Sequence, residues 1–338
     1  MNKTALVILN YNGIKFLKKF LPGVIEQSSK DADIWVADNC STDGSVEFLE
    51  AHFKSVKIIQ NQSNEGFATG YNKALGQIEA EYYILLNSDI EVTANWISPI
   101  IELMESDSTI GACQPKIRSY YQKSKFEYAG ASGGFIDDYG YPFCRGRIFQ
   151  SLEEDKGQYD DATEVFWASG ACMVVRADLF NKLDGFDDDF FAHMEEIDLC
   201  WRLKSLGQKV MVCPASTVFH VGGGTLPVGS ARKTYLNFRN NFVLLYKNLP
   251  ANQLFSVLFT RLVLDFFAGM KFLLQGGFAD FIAVIRAHVY VYRNWQLIRR
   301  KRKATVRNRV SMIYNGNIVV DHYLFRKKKF SDLKHMLS

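Results

Sequence analysis

YYILLNSDIEV, residues 82–92, opens with five aromatic and aliphatic residues that have the makings of a buried strand and runs straight into Asn87-Ser88-Asp89. Such a polar triplet is not stable inside an apolar core without partners, so it marks the point where a strand leaves the interior. The question it raises is what Asp89 holds there. The same arrangement occurs three times upstream. TALVIL (residues 4–9) precedes a helical pattern over 14–27, DIWVAD (33–38) one over 45–52, and VKIIQ (56–60) one over 67–78; YYILL itself is followed by one over 95–104. Strand and helix alternating through short connections predict an α/β fold with a mostly parallel sheet and helices on its faces. Right-handed crossovers then bring the strand C-termini to one edge, where open α/β sheets bind ligands.

The polar clusters fall at that edge: Asn10-Tyr11-Asn12, Asp38-Asn39, Asn64-Glu65-Gly66 and Asn87-Ser88-Asp89, one after each strand. Asn, Asp and Gly are also ordinary turn formers and helix caps, and either account fits a single loop. Four successive strand ends of this kind favour one shared crevice. Residues 119–163 mix Tyr, Gly, Lys and Arg without a period and read as an insertion or long loops over the sheet. A second ordered block follows: VFWASGACMVVR (165–176), a turn at Asp184-Gly185-Phe186, a helix over 195–206, then KVMVCP (209–214) and TVFHVGGG (217–224).

Six cysteines are scattered singly with no CxxC pair, which fits reduced thiols and neither a zinc knuckle nor a disulfide framework. The N-terminal apolar stretch is too short for a signal peptide, so a cytoplasmic location is expected. The net charge of +4 hides an asymmetry. Residues 232–338 carry 20 Lys and Arg against 4 Asp and Glu, and residues 1–231 carry 20 against 32, an acidic body with a basic C-terminal region.

No GxGxxG follows the first strand and no GxxxxGK[ST] occurs, which argues against a dinucleotide dehydrogenase and a P-loop NTPase. A nucleotide at this edge then needs another counter-charge, and a divalent cation on a carboxylate supplies one. Asp89 is placed to hold Mn2+ or Mg2+ bridging the two phosphates of a nucleotide-sugar, with His220 as a further ligand at the end of TVF. A lone His after a strand is also a common structural residue. Glu195-Glu196-Ile197-Asp198 opens the helix over 195–206, and two readings stand. Acids favour a helix N-terminus and Asp198 pairs with Arg202 at i,i+4; alternatively, adjacent carboxylates in a cleft make a general base of raised pKa.

VILNYNG (7–13), VADNCSTDGS (36–45), NEGFATGYNKA (64–74), LLNSDIEV (85–92), WASGACMVVR (167–176), FDDDFFAHMEEIDLCWR (186–202) and VFHVGGG (218–224) occur in the order of the family-two glycosyltransferases of the GT-A fold. Over roughly residues 3–245 the chain resembles that family, especially bacterial rhamnosyltransferases of cell-surface polysaccharide assembly. The resemblance implies that Asp38 meets the nucleobase with Asn10 beside it, and that Asn64, Gly66, Asn72 and Asn87 line the nucleotide. It gives Asp89 and His220 to the metal, and Trp167, Gly170, Ala171 and Asp198 to the sugar and acceptor. Glu196 becomes the catalytic base with Glu195 as its neighbour. Two positions depart from the family's pattern: Asn87 stands where the DxD motif begins with Asp, and Glu196 stands where Asp is usual. No QxxRW-like motif of processive synthases is present, so one sugar per encounter is expected. A non-catalytic scaffold for a nucleotide-sugar or glycan lipid is the alternative that these departures keep open.

The implied domains are a catalytic unit over 1–231, with a nucleotide half at about 1–117 and an acceptor half at about 164–231, and a basic amphipathic helical region over 232–338. Within that region the longest uncharged run is residues 251–260, about half of a spanning helix. Helices lying in the membrane interface fit better, with residues 299–303 and 326–329 against anionic headgroups, at the inner face of the cell membrane and near a polyprenyl-diphosphate-linked glycan acceptor. A helical subdomain packed on the body with a solvated basic end is the other reading. No nucleic-acid-binding module is recognisable.

Overall fold

In the computed structural model, which describes residues 2–222 and 230–333, the first half follows the expected alternation. The elements are β1 (Thr4–Asn10), α1 (Ile14–Ser28), β2 (Asp33–Asp38), α2 (Ser45–His52), β3 (Lys57–Gln60), α3 (Gly66–Leu75) and β4 (Tyr82–Asn87). Strands β3, β2, β1 and β4 lie side by side and parallel. Successive residues of β1 point to opposite faces, Leu6 and Ile8 into one apolar layer and Ala5 and Val7 into the other. Both faces are covered, which is why these strands read as continuous apolar runs.

The remaining strands make the sheet mixed. They are β5 (Ile90–Val92), α4 (Ser98–Ser106), β6 (Ile110–Ser119), four short strands β7 (Gly134–Asp137), β8 (Pro142–Cys144), β9 (Arg147–Ile148) and β10 (Ser151–Leu152), then β11 (Thr163–Val165), β12 (Cys172–Arg176), α5 (Ala177–Lys182), α6 (Glu195–Ser205) and β13 (Lys209–His220). β12 inserts antiparallel between β4 and β6, and β13 continues the sheet on the far side of β6. The two strands expected over 209–224 are one, with a register shift between Cys213 and Thr217 that absorbs Pro214. Residues 119–163 are more ordered than expected: β7 to β10 form a second small sheet. Strands of two to four residues are too short to show a period.

The last third comprises α7 (Ala231–Asn248), α8 (Ala251–Leu274), α9 (Phe278–Arg293), α10 (Trp295–Ala304), β14 (Ile313–Tyr314) and α11 (Ile318–Tyr323). It is helical, as expected, and built into the body. Leu244, Leu245, Ile298, Tyr314 and Ile318 belong to the same apolar cluster as Phe166 and Trp201, and β14 adds a parallel strand to β7. Part of the basic run is also committed inside. Arg302 donates to the carbonyls of Tyr246 and Leu249, the latter at 2.8 Å, and Lys301 pairs with Asp187 and Asp189. Among the described residues no helix is long and apolar enough to cross a membrane. All six cysteines are free, five of them buried.

Candidate active site

Three of the four polar loops, those after β1, β2 and β3, interlock at the C-terminal edge of the parallel strands. Asn10 Nδ2 donates to Asp38 Oδ1 at 2.9 Å and the Ser41 N–H to Asp38 Oδ2 at 2.8 Å, so the Asp38 carboxylate ties the ends of β1 and β2. Asn39 Nδ2 donates to the Gly66 carbonyl (2.9 Å) and lies 3.3 Å from Asn64 Oδ1, while Asn61 Nδ2 reaches Asn39 Oδ1 at 2.9 Å. Gly66 has φ +91°, and a Cβ there would lie 2.4 Å from the Phe191 carbonyl oxygen. That carbonyl accepts the Phe67 N–H at 2.6 Å, capping the start of α3.

Asp89 and His220 meet because β5 pairs antiparallel with β13, Ile90 opposite His220. His220 Nε2 lies 3.1 Å from Asp89 Oδ1, and Nδ1 lies 3.2 Å from Glu127 Oε2. Asn87 Nδ2 is 3.5 Å from the same Nε2. Burial pulls the imidazole's pKa down, but the Glu127 and Asp89 carboxylates prevail and push it up to about 10. For Asp89, burial raises the carboxyl and the His220 hydrogen bond and charge outweigh it, leaving a pKa below the usual range. Glu127 stands in the stretch read as irregular, a single acid whose surrounding sequence gives no signal. Gly222 (φ +74°) faces it, with a would-be Cβ 2.9 Å from Glu127 Oε1; Gly223 and Gly224 lie outside the described residues.

Among the described residues no group of three or more His, Cys, Asp or Glu side chains is arranged to hold a metal ion. The donor set nonetheless suits a shared cation: a carboxylate and an imidazole converge, the Glu127 contact at Nδ1 aims Nε2 at Asp89, and an oxygen-rich diphosphate can complete the shell.

The Glu pair follows a tense turn. Phe191, His193 and Met194 all have positive φ, a conformation that non-glycine residues sustain only under constraint and that clusters at functional sites. The constraint comes from α7: Asn240 Nδ2 donates to the carbonyls of Phe190, Ala192 and His193 at 2.7–2.9 Å. Glu195 is 4% exposed, and burial followed by the charge of Glu196 pushes its carboxyl far up. Glu196 is half-buried, and burial raises it to about 7. One carboxylate oxygen of each is buried without a hydrogen-bond partner. Glu196 also connects to the strand that ends in Asn87. The Asn87 N–H donates to the Ala171 carbonyl at 2.9 Å, and a Cβ on neighbouring Gly170 would lie 3.1 Å from Phe67 and 3.8 Å from Glu196 Cβ.

Three expected ligand residues have other partners. Asn72 donates to the Phe186 carbonyl and Asp188 (2.8 Å each) and accepts the Phe186 N–H at 2.9 Å, so its amide pins the loop before the Glu pair. The Trp167 ring is buried over Gly134 and donates to the Phe135 carbonyl at 2.9 Å. Asp198 is fully buried between Arg202 (2.7 Å), Lys247 (2.9 Å) and Asn248 (2.9 Å), which clamps α6 to α7. The polar atoms of all three have partners within the protein and hold the frame around the site.

A family model, glycosyl transferase family 2, matches residues 5–184. The chain is 24% identical over 230 residues, 64% of its length and 75% of the relative's, to an N-acetylglucosaminyl-diphospho-decaprenol L-rhamnosyltransferase of Mycobacterium tuberculosis. It is 30% identical over 222 residues, 64% of its length and 82% of the relative's, to a rhamnosyltransferase of Escherichia coli. Among solved structures it is similar to a mannosyltransferase of Pyrobaculum calidifontis in complex with GDP-Man and Mn2+, with TM-score 0.52, 13% identity and coverage of 96% of this chain and 88% of that one. It is also similar to S. aureus TarS in complex with UDP-GlcNAc, with TM-score 0.52, 14% identity and coverage of 76% and 72%. These likenesses establish the GT-A fold.

Proposed function

Because the chain belongs to glycosyl transferase family 2, we propose that it is an inverting glycosyltransferase that moves a sugar from a nucleoside diphosphate to a hydroxyl of a lipid-linked glycan in cell-surface polysaccharide synthesis. The donor in this reading is dTDP-rhamnose or a UDP-hexose, and the rhamnosyltransferase relatives favour the former. The observation that carries it is the Asp89–His220–Glu127 cluster together with Glu196, which lies beside Gly170 next to the Asn87–Ala171 hydrogen bond and whose carboxyl burial raises to about 7.

Asp38 and Asn10 position the base, and Gly66 lets the backbone approach the nucleotide where a side chain would collide with Phe191. Asp89 and His220 would hold Mn2+ or Mg2+, which when bound neutralises the charge on the departing diphosphate. Glu127 fixes the orientation of His220. Glu196 is the base: it takes the proton of the acceptor hydroxyl, that oxygen bonds to the anomeric carbon, and the bond to the diphosphate breaks with its electron pair leaving on the phosphate oxygen. A pKa near 7 suits this, since about half of the carboxylate is ionised at neutral pH and it is basic enough to accept the proton. Glu195 is too deeply buried for that role.

The acceptor's lipid implies a membrane surface. Phe255, Phe259, Phe266 and Leu274 on α8 are 83%, 60%, 62% and 82% exposed, a stripe at helical spacing turned away from the core. Tyr323, Leu324 and Phe325 are also exposed, followed by Arg326, Lys328 and Lys329, and Lys271 of α8 lies over the Tyr323 ring. An apolar face rimmed by cations suits helices lying in an anionic interface, at the inner face of the cell membrane. The test of the reading is transfer from a panel of nucleotide-sugars to N-acetylglucosaminyl-diphospho-lipid, with the anomeric configuration of the product read by NMR. An inverted product from one donor, lost in Glu196→Gln, is expected. A retained anomer, or transfer unaffected by Glu196→Gln, would refute it.

A further inference from the structure

A cavity of about 460 Å³ lies between α7, α9 and Phe191, lined by Arg232, Tyr235, Arg239, Ala283 and Arg286. Among the described residues none of its three guanidiniums has a carboxylate within ion-pair distance. The two nearby acids are already partnered: Asp280 accepts from Thr234 at 2.6 Å, and Asp189 pairs with Lys301. The arginines are held by other means. Arg239 donates to the carbonyls of Asp189 and Phe190 at 2.8 Å, and its guanidinium lies over the rings of Tyr235 and Tyr290. Arg232 rests 4.9 Å from the Phe191 ring centroid and Arg286 5.5 Å from that of Tyr235. A guanidinium placed by an aromatic face keeps its N–H donors for an oxyanion, the geometry suited to phosphate oxygens. Arg232 and Arg286 are exposed and, among the described residues, have no hydrogen-bond partner, so their donors can converge on an anion seated between them.

The position of the cavity names the anion. Its Phe191 wall belongs to the turn that leads into Glu195 and Glu196, so a group seated there lies beside the acceptor side of the reaction. Lys233, next to Arg232, is within electrostatic reach of both His193 and Glu127, which puts the first turn of α7 between the cavity and the Asp89–His220 cluster. On α9 the cavity residues Ala279, Ala283 and Arg286 form one stripe. Phe278, Ile285, Val289 and Tyr292 form a second, exposed stripe, turned from the first by roughly 100° round the helix. An anionic seat therefore borders an apolar track along the same helix. A polyprenyl diphosphate has these two parts in this order, and a nucleotide has no apolar tail.

We propose that the Arg232–Arg239–Arg286 cavity seats the diphosphate of the lipid-linked acceptor, with its polyprenyl chain leaving along the exposed face of α9. This rests on the glycosyltransferase reading above, and it assigns the acceptor a site separate from the donor's diphosphate. Calorimetry on the full chain with farnesyl diphosphate, inorganic pyrophosphate and dTDP with Mn2+ tests it, in the wild type, Arg232→Gln/Arg286→Gln and Arg286→Glu. Arg232 and Arg286 are exposed, so the variants leave the core untouched, and thermal melts verify the fold. Farnesyl diphosphate is expected to bind the wild type more tightly than pyrophosphate does, and at least tenfold more weakly to either variant, with dTDP affinity unchanged. Unaltered farnesyl diphosphate binding in both variants would overturn the proposal. Pyrophosphate binding as tightly as farnesyl diphosphate would overturn the lipid assignment, and an equal loss of dTDP affinity would hand the cavity to the donor. Wild-type protein that binds dTDP or, in a parallel titration, UDP and not farnesyl diphosphate defeats this proposal alone; protein that binds neither nucleoside diphosphate defeats the glycosyltransferase reading instead.

Discussion

Replacing Glu196 by Gln is expected to stabilise the protein while cutting turnover, and the size of the gain depends on pH. Burial lifts the Glu196 carboxyl from 4.5 to about 7. A carboxyl whose pKa is higher folded than unfolded contributes stability that is fully present below the unfolded value and is lost as pH rises through the folded one. At about 1.36 kcal/mol per pKa unit, ionised Glu196 costs the fold about 3 kcal/mol at pH 8.5 and about 1 kcal/mol at pH 5.5. Glutamine has the same shape and no charge, so Glu196→Gln removes that cost. With an unfolding entropy of about 2.1 cal/mol/K per residue, 338 residues convert 3 kcal/mol into a rise in Tm of about 4 °C at pH 8.5. The gain at pH 5.5 is about a third of that. Burial and the charge of Glu196 raise the Glu195 carboxyl as well, so by the same linkage Glu195→Gln is expected to raise Tm, and by more at pH 8.5 than at pH 5.5. Differential scanning calorimetry of the three proteins at both pH values is the assay. A Glu196→Gln variant no more stable than wild type at pH 8.5, or equally stabilised at both, would show that the carboxyl carries no burial cost and would remove the reason to treat it as a base poised near neutrality.

Wild-type kcat/KM should rise with a midpoint near pH 7 and lose that limb in Glu196→Gln, where turnover falls by about 10²–10⁴. Glu127→Gln should weaken Mn2+-dependent donor binding by about 10–100-fold with little change in Tm, because its partner His220 loses its fixed orientation; calorimetry with and without Mn2+ reads this. Asp198→Ala leaves Lys247 and Arg202 buried without their shared carboxylate, a loss of about 3–5 kcal/mol, seen as a Tm several degrees lower. Deleting residues 251–338 is not a clean membrane test, since Ile298, Tyr314 and Ile318 complete the core; Phe255→Ser/Phe259→Ser/Phe266→Ser is, and should abolish co-sedimentation with anionic liposomes while Tm holds.

The parallel half of the sheet was legible because each strand carried its own turn signal, and α2 falls on residues 45–52 as its pattern implied. The positions of Asp89, His220 and Glu196 in the fold follow from the same kind of signal, each being a polar or acidic residue at the end of an apolar run or the start of a helix, and the structure brings the first two together. Glu127 was not: it is one acid in a segment of two- to four-residue strands, and only the fold brings it to His220. For Trp167, Asn72 and Asp198 the sequence did not disclose the internal partners, Phe135, Phe186 and Lys247, that their polar atoms have in the fold. The C-terminal region looked like an appendage by charge. Its interior contacts come from Arg302, Lys301 and Tyr314, residues whose burial no composition count registers.

The central claim, that Asp89 and His220 hold the cation that holds the donor's diphosphate, is tested most directly by calorimetric titration of dTDP-rhamnose and UDP-hexoses into wild type and Asp89→Asn, with and without Mn2+. Binding of one donor is expected that requires Mn2+ in the wild type and falls at least tenfold in Asp89→Asn. Binding indifferent to both Mn2+ and Asp89 would contradict it and would reduce Asn87-Ser88-Asp89 to a strand-ending turn.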